Sequence, residues 1–171
     1  MILKKALIND LLDLQEICTK AYSLHFAEHW TNNGLQLHLE YQYGTKRLMD
    51  DLTDTIVDYY FIQANGENIG FIKVKIQSSE EFSKLDNCEL EKIYILPKYS
   101  GKEFGKMAMT SIIDAVREKG KKFIFLCVID TNENAIAFYK KLGFVFHSTT
   151  RIEAPYFKEE LRGMHRMVLK L

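Results

Sequence analysis

The sequence predicts an α/β fold, in the wide sense that includes α+β, with helices on a mixed sheet. Three observations support this prediction: short strand-like segments alternate with amphipathic helical segments, a strong hairpin signal joins two strands, and the chain ends in two neighbouring strand-like segments. Strands separated by helices favour parallel pairing, whereas hairpins are antiparallel, so both kinds of pair are expected. A chain of 171 residues is expected to form a single domain, residues 1–171.

The first third of the chain is predicted to be mainly helical. A first strand at residues 3–7 precedes Asn9-Asp10, which offers an N-cap, and the apolar residues that follow keep helical spacing. The polar and aromatic residues 25–52 are predicted to form two short helices, with a break at residues 32–34. Strands at residues 56–64 and 69–76 come next, and the Asn65-Gly66 dipeptide between them is typical of a tight hairpin.

The second half is predicted to alternate strands and helices. Residues 77–87 are predicted to form a charged loop that precedes these elements. The predicted elements are a strand at 88–95, a helix at 103–119, a buried strand at 123–129, a short helix at 134–142 and strands at 144–151 and 164–171. Gly120 and Gly143 directly follow the two helices, where the left-handed conformation of a helix end suits glycine.

Charge and cysteine content exclude several classes of protein. The 23 Lys and Arg residues balance the 23 Asp and Glu residues, so neither nucleic acid nor an acidic membrane is expected as a partner. No secretory signal is visible, and three scattered cysteines suit buried free thiols, so a cytoplasmic location is expected. A zinc hydrolase is an alternative because His25, Glu28 and His29 have H-x-x-E-H spacing, but no third ligand follows, and no metal is expected.

Residues 93–106 read as strand, loop and helix, and the loop feeds backbone N–H groups into a helix N-terminus. Those donors lack partners within the helix, so an anion such as a pyrophosphate fits there. Gly101 and Gly105 would allow close approach of a ligand, and cations are supplied by Lys98, Lys102 and Lys106. An ordinary strand–helix turn with solvated lysines is the alternative. The spacings of a P-loop and of a dinucleotide-binding motif are absent.

A second element, residues 130–144, closely resembles the N-x-x-A-x-x-F-Y-x-K-x-G-F element of the GNAT acetyltransferases. The turn described above resembles the phosphate-binding motif of that family more weakly, and the two elements lie in the expected order and distance. The resemblance covers residues 1–171 and implies the GNAT fold, with a mixed, mostly antiparallel central sheet flanked by helices. It also implies transfer of an acetyl group from acetyl-CoA, as co-substrate, to an amine.

The resemblance further implies roles for individual residues. The pantetheine arm would follow the backbone of Ile93, Tyr94 and Ile95. Asn132 would contact the CoA arm, and Tyr139 would protonate the CoA sulfur as the general acid. The pyrophosphate would lie on Gly101, Lys102, Glu103, Phe104, Gly105 and Lys106. Two positions depart from the family pattern: Ser100 stands where Arg or Gln is usual, and Glu103, where the first glycine is usual, is expected to weaken CoA binding.

Acetylation of an amine also needs a base, because an alkyl ammonium with a pKa near ~10.4 is not a nucleophile. The apolar alternation of residues 88–95 slips by one at Glu91-Lys92, which predicts a β-bulge that would redirect a side chain. The resemblance implies a bulge in the same strand, opening a V-shaped cleft for the thioester. Glu91 is therefore the candidate base, with Glu89 as the alternative, and a backbone N–H near Ile93 is the candidate oxyanion donor.

The acceptor amine is expected to be small. Residues 26–31 and 90–95 resemble bacterial spermidine/spermine acetyltransferases of the PaiA type, which implies a polyamine acceptor. Acids and aromatic residues of the predicted helices would bind a polycation on the acceptor side of the cleft: Glu28, Glu40, Asp50, Asp51, Asp54, Trp30, Tyr41 and Tyr43. Alternatives are a protein N-terminus as acceptor and a CoA-binding protein without turnover. The sequence does not decide between a monomer and a homodimer.

Overall fold

The computed structural model describes residues 1–76 and 86–171, and within them seven strands form one sheet in the order β1-β2-β3-β4-β5-β7-β6. The β4–β5 pair is parallel and the other pairs are antiparallel. The strands are β1 (Ile2–Lys5), β2 (Val57–Ala64), β3 (Glu67–Ile76), β4 (Asn87–Ile95), β5 (Phe123–Ile129), β6 (Val145–Arg151) and β7 (Gly163–Lys170). This sheet confirms the predicted mixed, mostly antiparallel arrangement.

Five α-helices flank the sheet within the described residues, and short 3₁₀ turns join several elements. The helices are α1 (Leu11–Phe26), α2 (Gly34–Tyr43), α3 (Thr45–Thr53), α4 (Phe104–Glu118) and α5 (Glu133–Lys141). Each predicted element is present, and the ends that the sequence predicted differ from the observed ones by at most two residues. The predicted break at residues 32–34 is wrong as the junction of the two short helices, because α2 begins at Gly34 and meets α3 at Gly44. The first strand ends at Lys5 rather than Leu7, because the Leu7 N–H already donates to the Asp10 carboxylate in the turn before α1.

The hairpin between β2 and β3 has the predicted turn. Asn65 and Gly66 both have positive φ, 53° and 82°, which is the backbone of a type I′ turn. Ala64 pairs with Glu67 across this two-residue loop. Most of the predicted charged loop, residues 77–85, lies outside the described residues, and β4 begins at Asn87.

The sheet is covered on both faces, and each face has its own apolar core. Helices α4 and α5 pack on one face, where Met109 and Ile112 meet Ile72 of β3. Helices α1 to α3 pack on the other face, where Leu14 and Tyr43 meet the neighbouring residue of the same strand, Phe71. Burial on both faces explains why β5 is continuously apolar and why β3 has an apolar run at residues 69–72 rather than alternation.

The two central strands pair over only part of their length. Residues 87–89 of β4 pair with residues 123–125 of β5, and the pairing ends there. On its other edge, β4 has the predicted bulge: Lys73 lies opposite Lys92 and Val74 lies opposite Leu90, which leaves Glu91 as the extra residue. A bulge bends its strand. Beyond it β4 and β5 diverge, and a V-shaped cleft opens between them.

Candidate active site

The cleft between β4 and β5 has a volume of ≈ 680 Å³. Its two sides are residues 90–95 of β4 and 126–129 of β5. The start of α4 closes it at one end through Gly101 and Gly105, and α5 contributes Phe138 and Tyr139. The end of α1 and Phe157 complete the wall. A cleft of this size at a break in a sheet suits an elongated ligand.

The open edge of β4 presents unpaired backbone groups to the cleft. The Leu96 N–H donates to the Ile69 carbonyl of β3 at 2.8 Å, so the alternating groups of Ile93 and Ile95 point away from β3. The Ile95 carbonyl accepts a hydrogen bond from His25 Nε2 at 2.7 Å. The N–H and C=O of Ile93 are left to bind a ligand strand, whereas those of Tyr94 face β3, so the geometry suits the prediction for residues 93–95 at Ile93 and not at Tyr94.

The turn before α4 forms a nest of backbone donors. In the described part of the chain, no N–H from Gly101 to Lys106 donates to an acceptor of the protein, and the first bonded one is Met107 N–H, to the Glu103 carbonyl at 3.0 Å. Gly101 and Glu103 have φ of 76° and 60°, and this left-handed backbone turns successive N–H groups to one side. Six free donors at a helix N-terminus make an anion site.

Space in front of this nest is open. A Cβ on Gly101 would meet nothing within 4 Å, and a Cβ on Gly105 would lie 3.7 Å from Ile95 and Phe138, an ordinary contact. Packing within the protein therefore does not require glycine at position 105, whereas a ligand that lies against the backbone does. Of the six residues predicted to bind pyrophosphate, the two glycines line the cleft.

The other four, Lys102, Glu103, Phe104 and Lys106, contribute backbone to the nest without lining the cleft. The Lys102 ammonium lies 5.6 Å from the ring centre of Tyr99, and the Phe104 ring packs against the same tyrosine. Side-chain cations at this end are therefore peripheral, and the N–H groups dominate the attraction for an anion.

Tyr139 lies in the last turn of α5 and lines the cleft. Its ring packs against Phe138 and Phe144, with ring centres 5.3 and 5.8 Å away. Its hydroxyl has no hydrogen-bond partner among the described residues. Burial raises the pKa of Tyr139 to about 12, so the hydroxyl stays protonated at neutral pH. The geometry therefore provides an uncommitted proton donor in the cleft.

Asn132 lies at the N-cap of α5 and lines the cleft. Its side-chain oxygen accepts a hydrogen bond from the Ala135 N–H at 3.1 Å, which satisfies one free donor of the helix. The amide hydrogens remain for another partner. Asn132 thus caps the helix that carries Tyr139. The resemblance had implied only a contact between Asn132 and the CoA arm.

Glu91 lines the cleft, but its carboxylate is held by two ammonium groups. Oε1 lies 2.5 Å from Lys92 Nζ and 3.1 Å from Nζ of the fully buried Lys73. Burial alone would raise the pKa of Glu91, but the charges and hydrogen bonds of Lys92 and Lys73 outweigh it and lower the pKa to about 2. A carboxylate this acidic is a weak proton acceptor, so the structure does not favour Glu91 as the base. The alternative, Glu89, does not line the cleft.

Lys73 itself was not expected as part of the site. It lies opposite Lys92 at the bulge and also bonds Asp51 Oδ2 at 2.9 Å. Asp51 in turn accepts a hydrogen bond from the Tyr59 hydroxyl, also at 2.9 Å. The network therefore ties α3 and β2 to the bulge. The sequence gives no signal for it, because Lys73 sits in an apolar strand beside Lys75, and nothing local distinguishes the two.

The predicted acidic wall is wrong. None of Glu28, Glu40, Asp50, Asp51 and Asp54 lines the cleft. The Asp51 carboxylate is buried and paired with Lys73, and the Asp50 carboxylate is paired with Lys46. Both acids therefore already have partners outside the cleft.

The wall beyond β4 is aromatic. Tyr22 and Phe26 are stacked with ring centres 4.8 Å apart, and Tyr94 meets both edge to face, 5.8 Å from Tyr22 and 5.2 Å from Phe26. Of the predicted aromatic residues, Trp30 and Tyr43 are buried in the core, and Tyr41 is exposed away from the cleft.

The described residues contain no group of three or more His, Cys, Asp or Glu side chains placed to hold a metal ion. Helix α1 ends at Phe26, so His25 and His29 do not share one helix as the H-x-x-E-H pattern requires. In the same part of the chain, no helix has the length and apolar character needed to cross a bilayer.

Comparisons with known proteins agree with this geometry. The model of the acetyltransferase (GNAT) family matches residues 12–144. A spermidine N(1)-acetyltransferase of Thermoplasma acidophilum is 24% identical over 151 residues, 86% of this chain and 89% of the relative. An uncharacterised N-acetyltransferase of Methanocaldococcus jannaschii is 24% identical over 163 residues, 95% of this chain but 64% of the relative, so the chain spans under two thirds of its length.

Among solved structures, the PaiA N-acetyltransferase from Thermoplasma acidophilum in complex with coenzyme A has a TM-score of 0.79 and 21% identity, with 99% of this chain and 98% of that chain covered. At that identity the likeness shows a shared fold. The family model covers most of the chain, both motifs fall in the cleft, and the chain belongs to the GNAT family of N-acetyltransferases.

Proposed function

We propose that this N-acetyltransferase moves the acetyl group of acetyl-CoA to a small primary amine, with spermidine or spermine as the first acceptors to test. One observation carries the proposal: a single cleft joins a nest of free N–H donors, an open strand edge and an uncommitted phenol. Anion binding, alignment of a long chain and proton donation to a leaving group are what this transfer needs.

The residues present fit the donor. A pyrophosphate would be held by the N–H groups of Gly101 to Lys106, where neither glycine carries a side chain that blocks approach. A pantetheine arm would lie as a short extra strand on Ile93, in the place that β5 vacates beyond Glu89. The Ile93 N–H is then the donor nearest the bulge for the thioester oxygen.

Tyr139 is proposed as the general acid. Its hydroxyl is protonated at neutral pH, unbonded, and set in the cleft by the packing of Phe138 and Phe144. A donor of this kind stabilises a departing thiolate. In the proposed mechanism, Glu91 fixes the bulge through Lys73 and Lys92, which places the Ile93 N–H at the mouth of the split.

A polyamine acceptor is supported by the name of the Thermoplasma relative and by the aromatic wall. The face of an aromatic ring attracts an ammonium group, an interaction worth about 0.5–2 kcal/mol, and Tyr22, Phe26 and Tyr94 all line the cleft. No acid other than Glu91 lines the cleft within the described residues, so charge pairing contributes little there. A protein N-terminus as acceptor remains the alternative within the same chemistry.

A CoA-binding protein without turnover is the second candidate. The carboxylate of Glu103 adds a negative charge at the N-terminus of α4, beside the proposed phosphate site, which weakens CoA binding equally in both candidates. Calorimetry with CoA, and thiol release with spermidine, butylamine and an N-terminal peptide, separate the candidates. We expect CoA binding and the highest kcat/KM for spermidine. Binding without thiol release from any amine would support the second candidate. Equal kcat/KM for spermidine and butylamine would remove the polyamine assignment.

A further inference from the structure

With Glu91 committed to two lysines, the cleft needs another group to take the proton of the acceptor ammonium. Within the described residues, the ionisable side chains that line it are three tyrosines, Cys127, Glu91, Lys92 and His25. Burial raises the pKa of Tyr22, Tyr94 and Tyr139, so these are proton donors at neutral pH. Burial lowers the pKa of Lys92, but its side-chain nitrogen is already bonded to Glu91 and to Gln42 Oε1, the latter at 3.1 Å.

His25 differs from all of these because its hydrogen bond fixes its tautomer. A backbone carbonyl only accepts, so His25 Nε2, 2.7 Å from the Ile95 oxygen, must carry hydrogen. In the neutral ring, Nδ1 is then an unprotonated lone pair. The ring is exposed, and in the described part of the chain His25 takes part in no ion pair. An imidazole held by one nitrogen with the other free is the usual arrangement of a general base.

The groups around this imidazole are mostly neutral. Tyr22 on α1 and Tyr94 on β4 face it as protonated phenols, and the His25 and Tyr94 ring centres are 6.2 Å apart. The charged or ionisable residues on the turns packed against this end of α1 are Glu28, His29, Lys98 and Tyr99. Lys98 pairs with Glu67 at 3.6 Å. No described carboxylate is bonded to His25 to hold it in the protonated form.

We infer that His25 is the general base of the transfer; this inference rests on the proposed amine acceptor. Nδ1 takes one proton from the acceptor ammonium, directly or through one water. The freed nitrogen lone pair forms the C–N bond with the thioester carbon, and the C–S bond breaks with its electron pair on sulfur. Tyr139 protonates that sulfur, a second proton from nitrogen restores the phenol, and the imidazolium releases its proton to solvent.

The decisive variant is His25→Gln, whose side-chain N–H still donates toward the Ile95 carbonyl but cannot act as a base. The matched control is His29→Gln, which removes an imidazole four residues away that does not line the cleft. We expect His25→Gln to lower kcat/KM for butylamine by about 10²- to 10⁴-fold and to leave the CoA Kd within about twofold. The control should stay within about threefold of the parent.

Two readouts separate proton transfer from positioning. The pH profile of kcat/KM for butylamine should differ between the parent and His25→Gln, because the variant has lost the proton acceptor. With 2,2,2-trifluoroethylamine, which is already neutral at neutral pH, the variant should lose far less than with butylamine. Equal losses for both amines with an unchanged pH profile would overturn the base assignment. A parent inactive with every amine would overturn the proposed function instead.

Discussion

Glu103 stands where the resemblance to the GNAT phosphate-binding turn implies a glycine, and the structure gives its side chain two separate costs. Its backbone has φ 60° and ψ −1°, the left-handed conformation, at the N-cap of α4. A side chain costs roughly 1–2 kcal/mol there relative to glycine. Glycine loses about 0.5–1 kcal/mol of that gain through its greater freedom in the unfolded chain. Glu103→Gly should therefore stabilise the fold by about 0.5–1 kcal/mol.

The second cost is electrostatic. A carboxylate about 8 Å from a phosphate charge, at an effective dielectric of about 40, opposes binding by about 1 kcal/mol. Because Glu103 is exposed, salt screens this repulsion, and a two- to fivefold gain in CoA affinity is expected for Glu103→Gly at low ionic strength.

Two control variants separate the cost of the left-handed backbone from the cost of the charge. Glu103→Gln removes the charge and keeps the strained side chain, so it should tighten CoA binding without raising Tm. Glu103→Asn removes the charge, and asparagine tolerates the left-handed backbone better than glutamate does. This variant should therefore tighten CoA binding and also raise Tm, by less than Glu103→Gly does. Calorimetry measures Kd at two salt concentrations, and thermal melts measure Tm, which should rise by about 1–4 °C for Glu103→Gly. If Glu103→Gln binds CoA more weakly than the parent, the repulsion argument fails.

Three further predictions concern the cleft. Tyr139→Phe should lower kcat by roughly 10- to 1,000-fold with little change in CoA affinity, and an unchanged kcat at saturation would remove it as the acid. Gly105→Val should abolish CoA binding while the control Ser111→Val, on the exposed side of α4, binds normally in calorimetry; normal binding by both would move the phosphate site elsewhere. Glu91 has a pKa lowered to about 2, so its stabilising effect is present above pH ~4.5 and is lost as the pH falls toward 2. Urea melts from pH 7 to pH 3 should show that the free energy of unfolding falls in the parent and falls less in Glu91→Gln. The same dependence of that free energy on pH in both proteins would contradict the ion-pair geometry.

Local sequence patterns were sufficient for the elements and for part of the site. The slip in alternation at Glu91 predicted the bulge because side-chain period and backbone register are linked within one strand. Gly101 and Gly105 predicted the nest of N–H groups for the same reason, since the turn and the helix start are contiguous in the chain. The backbone conformation at both places depends on fewer than ten residues that are neighbours in the sequence.

What could not be predicted depends on which elements meet. Asp51 reads as an exposed helix acid, but α3 packs so that its carboxylate reaches Lys73 and Tyr59 inside the protein. His25 reads as one of two histidines in a metal-like pattern, but its ring bonds a carbonyl 70 residues away. Charge and aromatic character alone do not distinguish a cleft wall from a core, because both contain such residues until packing is known.

The buried ions at the bulge have a consequence for how the cleft stays open. An apolar cluster of similar volume would cost less desolvation than Lys73 and Lys92 around Glu91, so stability alone does not explain these charges. Their position does, since Glu91 is the extra residue of β4 at the bulge. Two lysines, one from each strand, hold its carboxylate and so fix the bulge that directs Ile93 toward the cleft. On the opposite side, the Asn132 cap sets the start of the helix that carries Tyr139. The width of the split is thus fixed from both sides by polar contacts that orient the backbone. The groups proposed for the chemistry are those that take no part in these contacts.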